Sequence, residues 1–456
     1  MKHLCYMICL LGMLVYGGSS LKVRYDGDQV LKITPQTTDQ VRYLQALSKE
    51  WQLDLWKPDS AEEIHEGRET HIQIPFSRIQ LMKENLLGQG IPFTIMISDV
   101  QKLIDKNAQS GKTMQRNQIS SRNYNYTIYH PMDEIYQWME DIETNHGDLV
   151  TKHYLGSTYE NHSIYYLKLG LPSNKKKKAF FMECGIHARE WISVAYCQWF
   201  VKEIISNYKD DFNLTKVLKQ VDFYVIPVLN VDGYIYSWTT DRLWRKNRSV
   251  QENGTCYGVD LNRNFDSHWC STGADSVCES FIYCGPSPAS EMETQALVAL
   301  VEEHKTEILC YLNIHSYGQL ILYAYGYTYN ISENNDELAS IAKIAVEKIM
   351  ERYNSYYIQG RASATLYTLS GSSSDWVTDL KINLSYTFEL RDEGDYGFEL
   401  PPDQIEPTCE ETMDALMGII DYINENYLED NAVSITSVWM TILLSCALHI
   451  SYSIFN

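Results

Sequence analysis

Ala179-Phe180-Phe181-Met182-Glu183-Cys184-Gly185-Ile186-His187-Ala188-Arg189-Glu190-Trp191 is the stretch that decides the fold. Its apolar run, residues 179–184, reads as a buried strand, and a helical pattern follows over 193–207. On either side, strand-like runs at 164–169, 223–228, 310–315 and 385–390 alternate with helical segments at 134–145, 290–304 and 336–352. Such alternation predicts an α/β domain, residues 117–430, built on a mixed, mostly parallel central sheet flanked by helices. In open sheets of this kind, sites form at the C-terminal ends of strands. Three such ends carry His187, His315 and Glu389.

The region before it has a different grammar. A strand over 21–33 precedes a helical pattern with Val41, Leu44 and Leu47. Strands at 53–56 and 71–76, a helix at 79–87, a strand at 92–98 and a helix from Asp99 follow. The order strand–helix–strand–strand–helix–strand predicts a ferredoxin-like α+β domain, and nothing in its residue types suggests catalysis. Residues 107–123 are polar, with Lys112, Arg116 and Arg122, and read as an interdomain linker open to a trypsin-like protease. With that linker the N-terminal unit spans 21–116.

The chain of 456 residues carries a formal charge of −21, which excludes a nucleic-acid binder because a phosphate backbone would be repelled. Both ends read as processing signals. Lys2 and His3, an apolar run over 5–16 and the small residues Gly17 to Ser20 make residues 1–20 a secretory signal peptide. The apolar end, with no Lys or Arg after it, reads as a GPI-attachment signal over 431–456, and so as membrane attachment at the cell surface. A retained single-pass helix is the other reading.

Sequons at Asn125, Asn161, Asn213, Asn247, Asn253, Asn330 and Asn383 fit an extracellular route. Asn383, in a strand-like run, and Asn247, close to Arg245, are expected to go unused. Of the 11 cysteines, Cys5, Cys9 and Cys446 lie in the terminal signals. The spacing of the others lacks paired C-x-x-C, so disulfides are favoured over a zinc cluster.

His187 and Glu190, three apart after a strand, can grip one ion from a single turn. Alone this pair is weak, and a lone strand-end His315 more often only hydrogen-bonds. Together they make His, Glu and His with a vacant position for water, a set used by catalytic zinc.

Five motifs stand in an order and spacing that resemble the pancreatic-type zinc carboxypeptidase family of A and B type, over residues 120–427. They are His187-Ala188-Arg189-Glu190-Trp191-Ile192, Trp244-Arg245-Lys246, Asp260-Leu261-Asn262-Arg263-Asn264-Phe265, Ile314-His315-Ser316-Tyr317 and Thr387-Phe388-Glu389-Leu390-Arg391. The N-terminal domain resembles that family's inhibitory pro-segment. The ending around Ile405-Glu406-Pro407-Thr408-Cys409, with the apolar tail, is most similar to O-type members.

The resemblance implies the zinc carboxypeptidase fold and an exopeptidase that takes peptide or protein C-termini one residue at a time. It implies one zinc ion on His187, Glu190 and His315, with Asp260 orienting a ligating imidazole. Glu389 becomes the general base for a water whose pKa zinc lowers toward about 7. Arg245 becomes the stabiliser of the oxyanion. Asn262 and Arg263 become the clamp on the terminal carboxylate, with Arg189 and Tyr317 on the same binding surface and Tyr367 closing over it. Disulfides Cys184–Cys197, Cys256–Cys278 and Cys270–Cys284 follow from the same resemblance, which leaves Cys310 and Cys409 unassigned.

Ser374 departs from the pattern. It falls at the pocket floor, where A-type members carry an apolar residue, B-type an aspartate and O-type an arginine. Without a carboxylate there, the released residue is expected to be neutral or acidic rather than basic. Arg361 is close enough in sequence to supply a cation to the pocket. The competing reading is a catalytically silent cell-surface peptide-binding protein on the same fold. That protein would be expected to lack a ligand or the base, and the sequence lacks neither.

Overall fold

The computed structural model describes residues 22–117, 124–251 and 254–428, with only the backbone of 115–117. The expected signal peptide over 1–20, the expected attachment signal over 431–456, Asn253, Arg122 and the side chain of Arg116 lie outside the described residues.

The N-terminal domain runs β1 (Gln29–Ile33), α1 (Thr38–Trp51), β2 (Asp54–Lys57), β3 (Thr70–Ile74), α2 (Ile79–Gly88), β4 (Phe93–Ile97) and α3 (Val100–Asn117). Its sheet has the order β2-β3-β1-β4, with every pairing antiparallel. This is the expected ferredoxin-like arrangement. Thr37 starts α1 by accepting the Gln40 N–H, and Gln52 ends it in the left-handed region. Between those caps Val41, Leu44 and Leu47 repeat at helical spacing and bury against Leu31, Ile33, Ile72 and Ile74.

Two expectations fail here. The strand over 21–33 begins only at Gln29, because a turn with Gly27 at φ +77° breaks the extended chain. Before that turn the Val23 N–H donates instead to the Thr240 carbonyl. The first part of the polar stretch 107–123 is not linker, because α3 continues to Asn117, and residues 118–123 lie outside the described residues. A helix needs only one facing stripe to dock. Leu103 and Ile104 supply apolar contacts, and buried Asn107 donates to the Glu399 carbonyl at 2.7 Å.

The second domain runs α4 (Met132–His146), β5 (Val150–Ser157), β6 (Ser163–Leu169), β7 (Lys178–Cys184), α5 (Trp191–Asn207), α6 (Phe212–Leu218), β8 (Val221–Ile226), α7 (Val231–Thr239), β9 (Val250–Gln251), β10 (Cys256–Tyr257), α8 (Met292–His304), β11 (Ile308–Ser316), β12 (Leu320–Tyr323), α9 (Asn335–Tyr353), β13 (Ile358–Arg361), α10 (Ala362–Thr365), α11 (Ser373–Asp379), β14 (Leu384–Leu390) and α12 (Ile405–Asn426). An eight-stranded sheet has the order β13-β12-β14-β11-β7-β8-β6-β5. The strands β14, β11, β7 and β8 are mutually parallel, while β12 joins β14, and β6 joins β8, in antiparallel fashion. The expected mixed sheet flanked by helices is therefore present.

The parallel centre is covered on both faces, which is why β7 and β11 read as continuous apolar runs. Disulfides join Cys184–Cys197, Cys256–Cys278 and Cys270–Cys284, as the resemblance implied, and Cys310 and Cys409 are free and buried. Asn247 is fully buried and donates to Glu291 and Glu293. Asn383 is not inside a strand but exposed just before β14. Among the described residues no helix is long and apolar enough to cross a membrane.

Candidate active site

The ends of β7, β11 and β14 set the site. The chain leaves β7 through Gly185, whose φ is +62° and where a Cβ would lie 2.9 Å from Val194, and so delivers His187 and Glu190 above the strand end. In the next parallel strands His315 and Glu389 are directly paired in register.

His187 Nδ1 lies 2.8 Å from one Glu190 oxygen and His315 Nδ1 lies 3.0 Å from the other. One ligand atom from each of these three residues falls within 4.8 Å of the others. His187 Nε2 is 3.0 Å from Asp260 Oδ1, so the carboxylate holds that ring with Nδ1 toward the cluster. Two imidazole nitrogens and a carboxylate, converging on one cavity, fit a single zinc ion.

Around this cluster a cavity of about 50 Å³ is lined by His187, Glu190, Arg245, Asn262, Arg263, His315, Tyr317, Tyr367, Ser374 and Glu389. Every site residue expected from the sequence except Arg189 therefore meets in one place. Arg189 is fully buried to one side, 2.9 Å from Asp54 and with its guanidinium 4.0 Å over the Phe398 ring. Arg361, close enough in sequence to supply a cation, is not among the residues lining the pocket. Its guanidinium is spent on the Tyr329 and Asn330 carbonyls.

Residues missed in the sequence come from the N-terminal domain. Trp56, Lys57 and Asp59 line the same cavity. Asp59 Oδ2 accepts from Arg245 at 3.0 Å and from Arg263 at 2.6 Å. Glu63 accepts from the Thr368 backbone and hydroxyl, beside Tyr367, and Arg68 donates to the Leu366 carbonyl. His71 sits between Glu69 and Tyr317, 2.8 Å from the Tyr317 hydroxyl. No periodicity or motif marks these positions. Only the Lys57-Pro58-Asp59-Ser60 turn, a polar break between strands, gave a signal.

Charge is arranged to match. Burial and the nearby Glu190 carboxylate push Glu389 well above the ordinary carboxylate range, against the pull of Arg245 and Lys57. A divalent cation beside Glu190 would act with Arg245 to lower it. Burial also opposes ionisation of Asp260, yet Arg245, His187 and Arg263 hold it well below its usual value. Arg245 donates to Asp260 Oδ2 through both Nε and Nη2, at 3.0 and 2.8 Å.

Two family models match the chain. One, described as "Zinc carboxypeptidase", covers residues 135–415, and the other, "Carboxypeptidase activation peptide", covers residues 31–107. The chain belongs to the zinc carboxypeptidase family, and it is a metallocarboxypeptidase with zinc as its cofactor. It is 52% identical over 330 residues to carboxypeptidase O of Homo sapiens, covering 72% of this chain and 88% of that protein. Carboxypeptidase B of Bos taurus is 40% identical over 403 residues, covering 88% of this chain and 94% of its own. Among solved structures, that of thrombin activatable fibrinolysis inhibitor aligns with a TM-score of 0.82 at 40% identity, covering 88% of this chain and all of the other.

Proposed function

We propose that the protein is a secreted, cell-surface zymogen whose enzyme removes a single neutral or acidic, rather than basic, residue from peptide and protein C-termini. The observation that carries this is Asp59. A carboxylate already bridges Arg245 and Arg263 in the cavity that the His187–Glu190–His315 cluster lines, so this position accepts a carboxylate beside that cluster. A guanidinium fork suits a planar terminal carboxylate, which a mid-chain peptide cannot offer.

His187, Glu190 and His315 would hold the zinc. Bound there, the ion supplies Lewis acidity and lowers the pKa of a water toward about 7. Glu389 takes the proton of the attacking water and returns it to the departing amine. Arg245 stabilises the negative charge that develops on the scissile carbonyl oxygen. Arg263 and Asn262 hold the substrate's terminal carboxylate, and Tyr367 closes over it. Tyr317, and Arg189 once Asp54 leaves with the N-terminal domain, extend the binding surface away from the clamp, and Ser374 forms the floor under the released side chain.

In the uncleaved chain Asp59 takes the substrate's place, so the N-terminal domain is inhibitory. A trypsin-like protease would activate the enzyme near Lys112, Arg116 or Arg122, and a GPI anchor attached before the C-terminal tail would hold it at the membrane. The alternative, a catalytically silent peptide-binding protein, needs a missing ligand or base. His187, Glu190, His315 and Glu389 all face one cavity.

The test is release of single residues from peptides by the trypsin-treated protein with and without a zinc chelator. Chelator-sensitive release is expected. No release by a folded, zinc-loaded protein freed of its N-terminal domain would leave only the silent reading.

A further inference from the structure

Resting on the exopeptidase reading and narrowing its neutral-or-acidic preference to the neutral part, we propose that the pocket selects an uncharged C-terminal side chain tipped by an amide, glutamine foremost. A substrate with its carboxylate where Asp59 lies, and its scissile carbonyl at the metal cluster, puts its last side chain in the rest of the cavity. There the walls are Leu322, Leu366 and Leu369, and the polar end is Ser372, Ser374 and Thr387. Apolar walls suit a methylene stem, and hydroxyls suit a polar tip.

The charges near this end are already spent. Arg361 does not line the cavity, Lys57 belongs to the N-terminal domain, and Arg245 and Arg263 are taken by the terminal carboxylate, so no cation at this end awaits a second carboxylate. Asp375, behind the floor, accepts the Gly326 N–H with both oxygens at 3.0 Å and the Tyr327 N–H at 3.1 Å. Glu183 accepts from the Tyr311 and Ser373 hydroxyls. An acidic side chain would therefore lose its hydration without gaining a counter-charge, and it would do so near two buried acids. A basic one would meet hydroxyls rather than a free carboxylate.

The neutral partners remain. Ser372 Oγ accepts the Asp375 N–H and lies 3.3 Å from Ser374 Oγ. Each hydroxyl can donate once and accept twice, so this pair retains capacity for a group that both donates and accepts. Asn313, outside the cavity's lining, stands next to this polar end. It precedes His315 by two on β11, so both side chains stand on one face, and it pairs in register with Thr387 of the pocket. Its Nδ2 donates to Ser373 Oγ at 2.6 Å, while its Oδ1 is buried without a partner. An amide brings two donors and an acceptor to such a set, a carboxylate brings no donor, and an alkyl group brings neither.

The test uses the activated, zinc-loaded enzyme on four blocked peptides that differ only in a final Gln, Glu, Leu or Lys. The kcat/KM for Gln should exceed those for Glu, Lys and Leu by about 10- to 100-fold, short of the 10⁴–10⁵ that a fully buried hydrogen-bonding site reaches. Ser374→Ala should cut the Gln-to-Leu ratio about tenfold. A readout independent of turnover is calorimetric binding of the same peptides to Glu389→Gln, which should rank Gln above Glu and Lys. Glu or Lys equal to Gln in both assays overturns the proposal. So does a faster Leu, or a Gln-to-Leu ratio indifferent to Ser374→Ala. No turnover of any peptide, with the binding order intact, would instead refute the hydrolytic reading and leave the pocket's selectivity standing.

Discussion

Replacing Asp59 by Asn should switch the uncleaved chain partly on. The carboxylate is buried and accepts from Arg245 and Arg263. Breaking a buried ion pair by removing one partner costs about 3–5 kcal/mol. That cost falls on the docked state alone. When the N-terminal domain swings away, both guanidiniums face the substrate side, and Arg245 keeps its bond to Asp260. The docked-to-open ratio should then fall by roughly 10² to 4 × 10³. The assay compares turnover of a C-terminal glutamine peptide by uncleaved protein with turnover after trypsin, for wild type and D59N. The uncleaved variant should reach a far larger share of its activated rate, and the two activated forms should be equal. A folded D59N as silent as wild type would refute the idea that Asp59 holds the site closed.

Glu389→Gln should lower kcat by about 10²–10⁴ with KM nearly unchanged and zinc content by atomic absorption intact; unchanged kcat with a raised KM would make Glu389 a binding residue only. Burial holds His71 below its ordinary value of 6.5, with Glu69 opposing and Lys57 and Lys32 assisting. The docked state thus favours the neutral ring, and its contribution is whole above about pH 6.5 and is lost as pH falls through the lowered value. Thermal melts of the uncleaved protein should show a steeper loss from pH 8 to 5 than those of His71→Gln; parallel curves would count against a part for His71 in docking the N-terminal domain through Tyr317. Peptide mapping should find glycans at exposed Asn161, Asn213 and Asn330 but none at buried Asn247, and a modified Asn247 in the folded protein would contradict its burial.

The sheet and the metal site were legible because their chemistry is local. A strand that ends in Gly185 and His187 announces its own turn, and His315 and Glu389 close apolar runs whose interruption by polar groups needs a reason. Asp59 was not legible, since its partners lie 186 and 204 residues away in sequence and neither domain alone gives it a role. Arg361 misled because nearness along the chain says nothing of where a long side chain points. The stretch after Asn107 misled for a related reason: polar composition describes the solvent side of a docked helix as well as a linker. The short strands β12 and β13 left no readable alternation, being only four residues each.

One feature of the closed site ties together two properties that selection would otherwise tune apart. On the proposed function, Asp59 of the N-terminal domain and the substrate's carboxylate compete for the same pair of arginines, so every change that sharpens the grip on a free carboxylate would also deepen the dormancy of the uncleaved chain. A lineage seeking tighter substrates must therefore lean harder on its activating protease, or shed the N-terminal domain altogether.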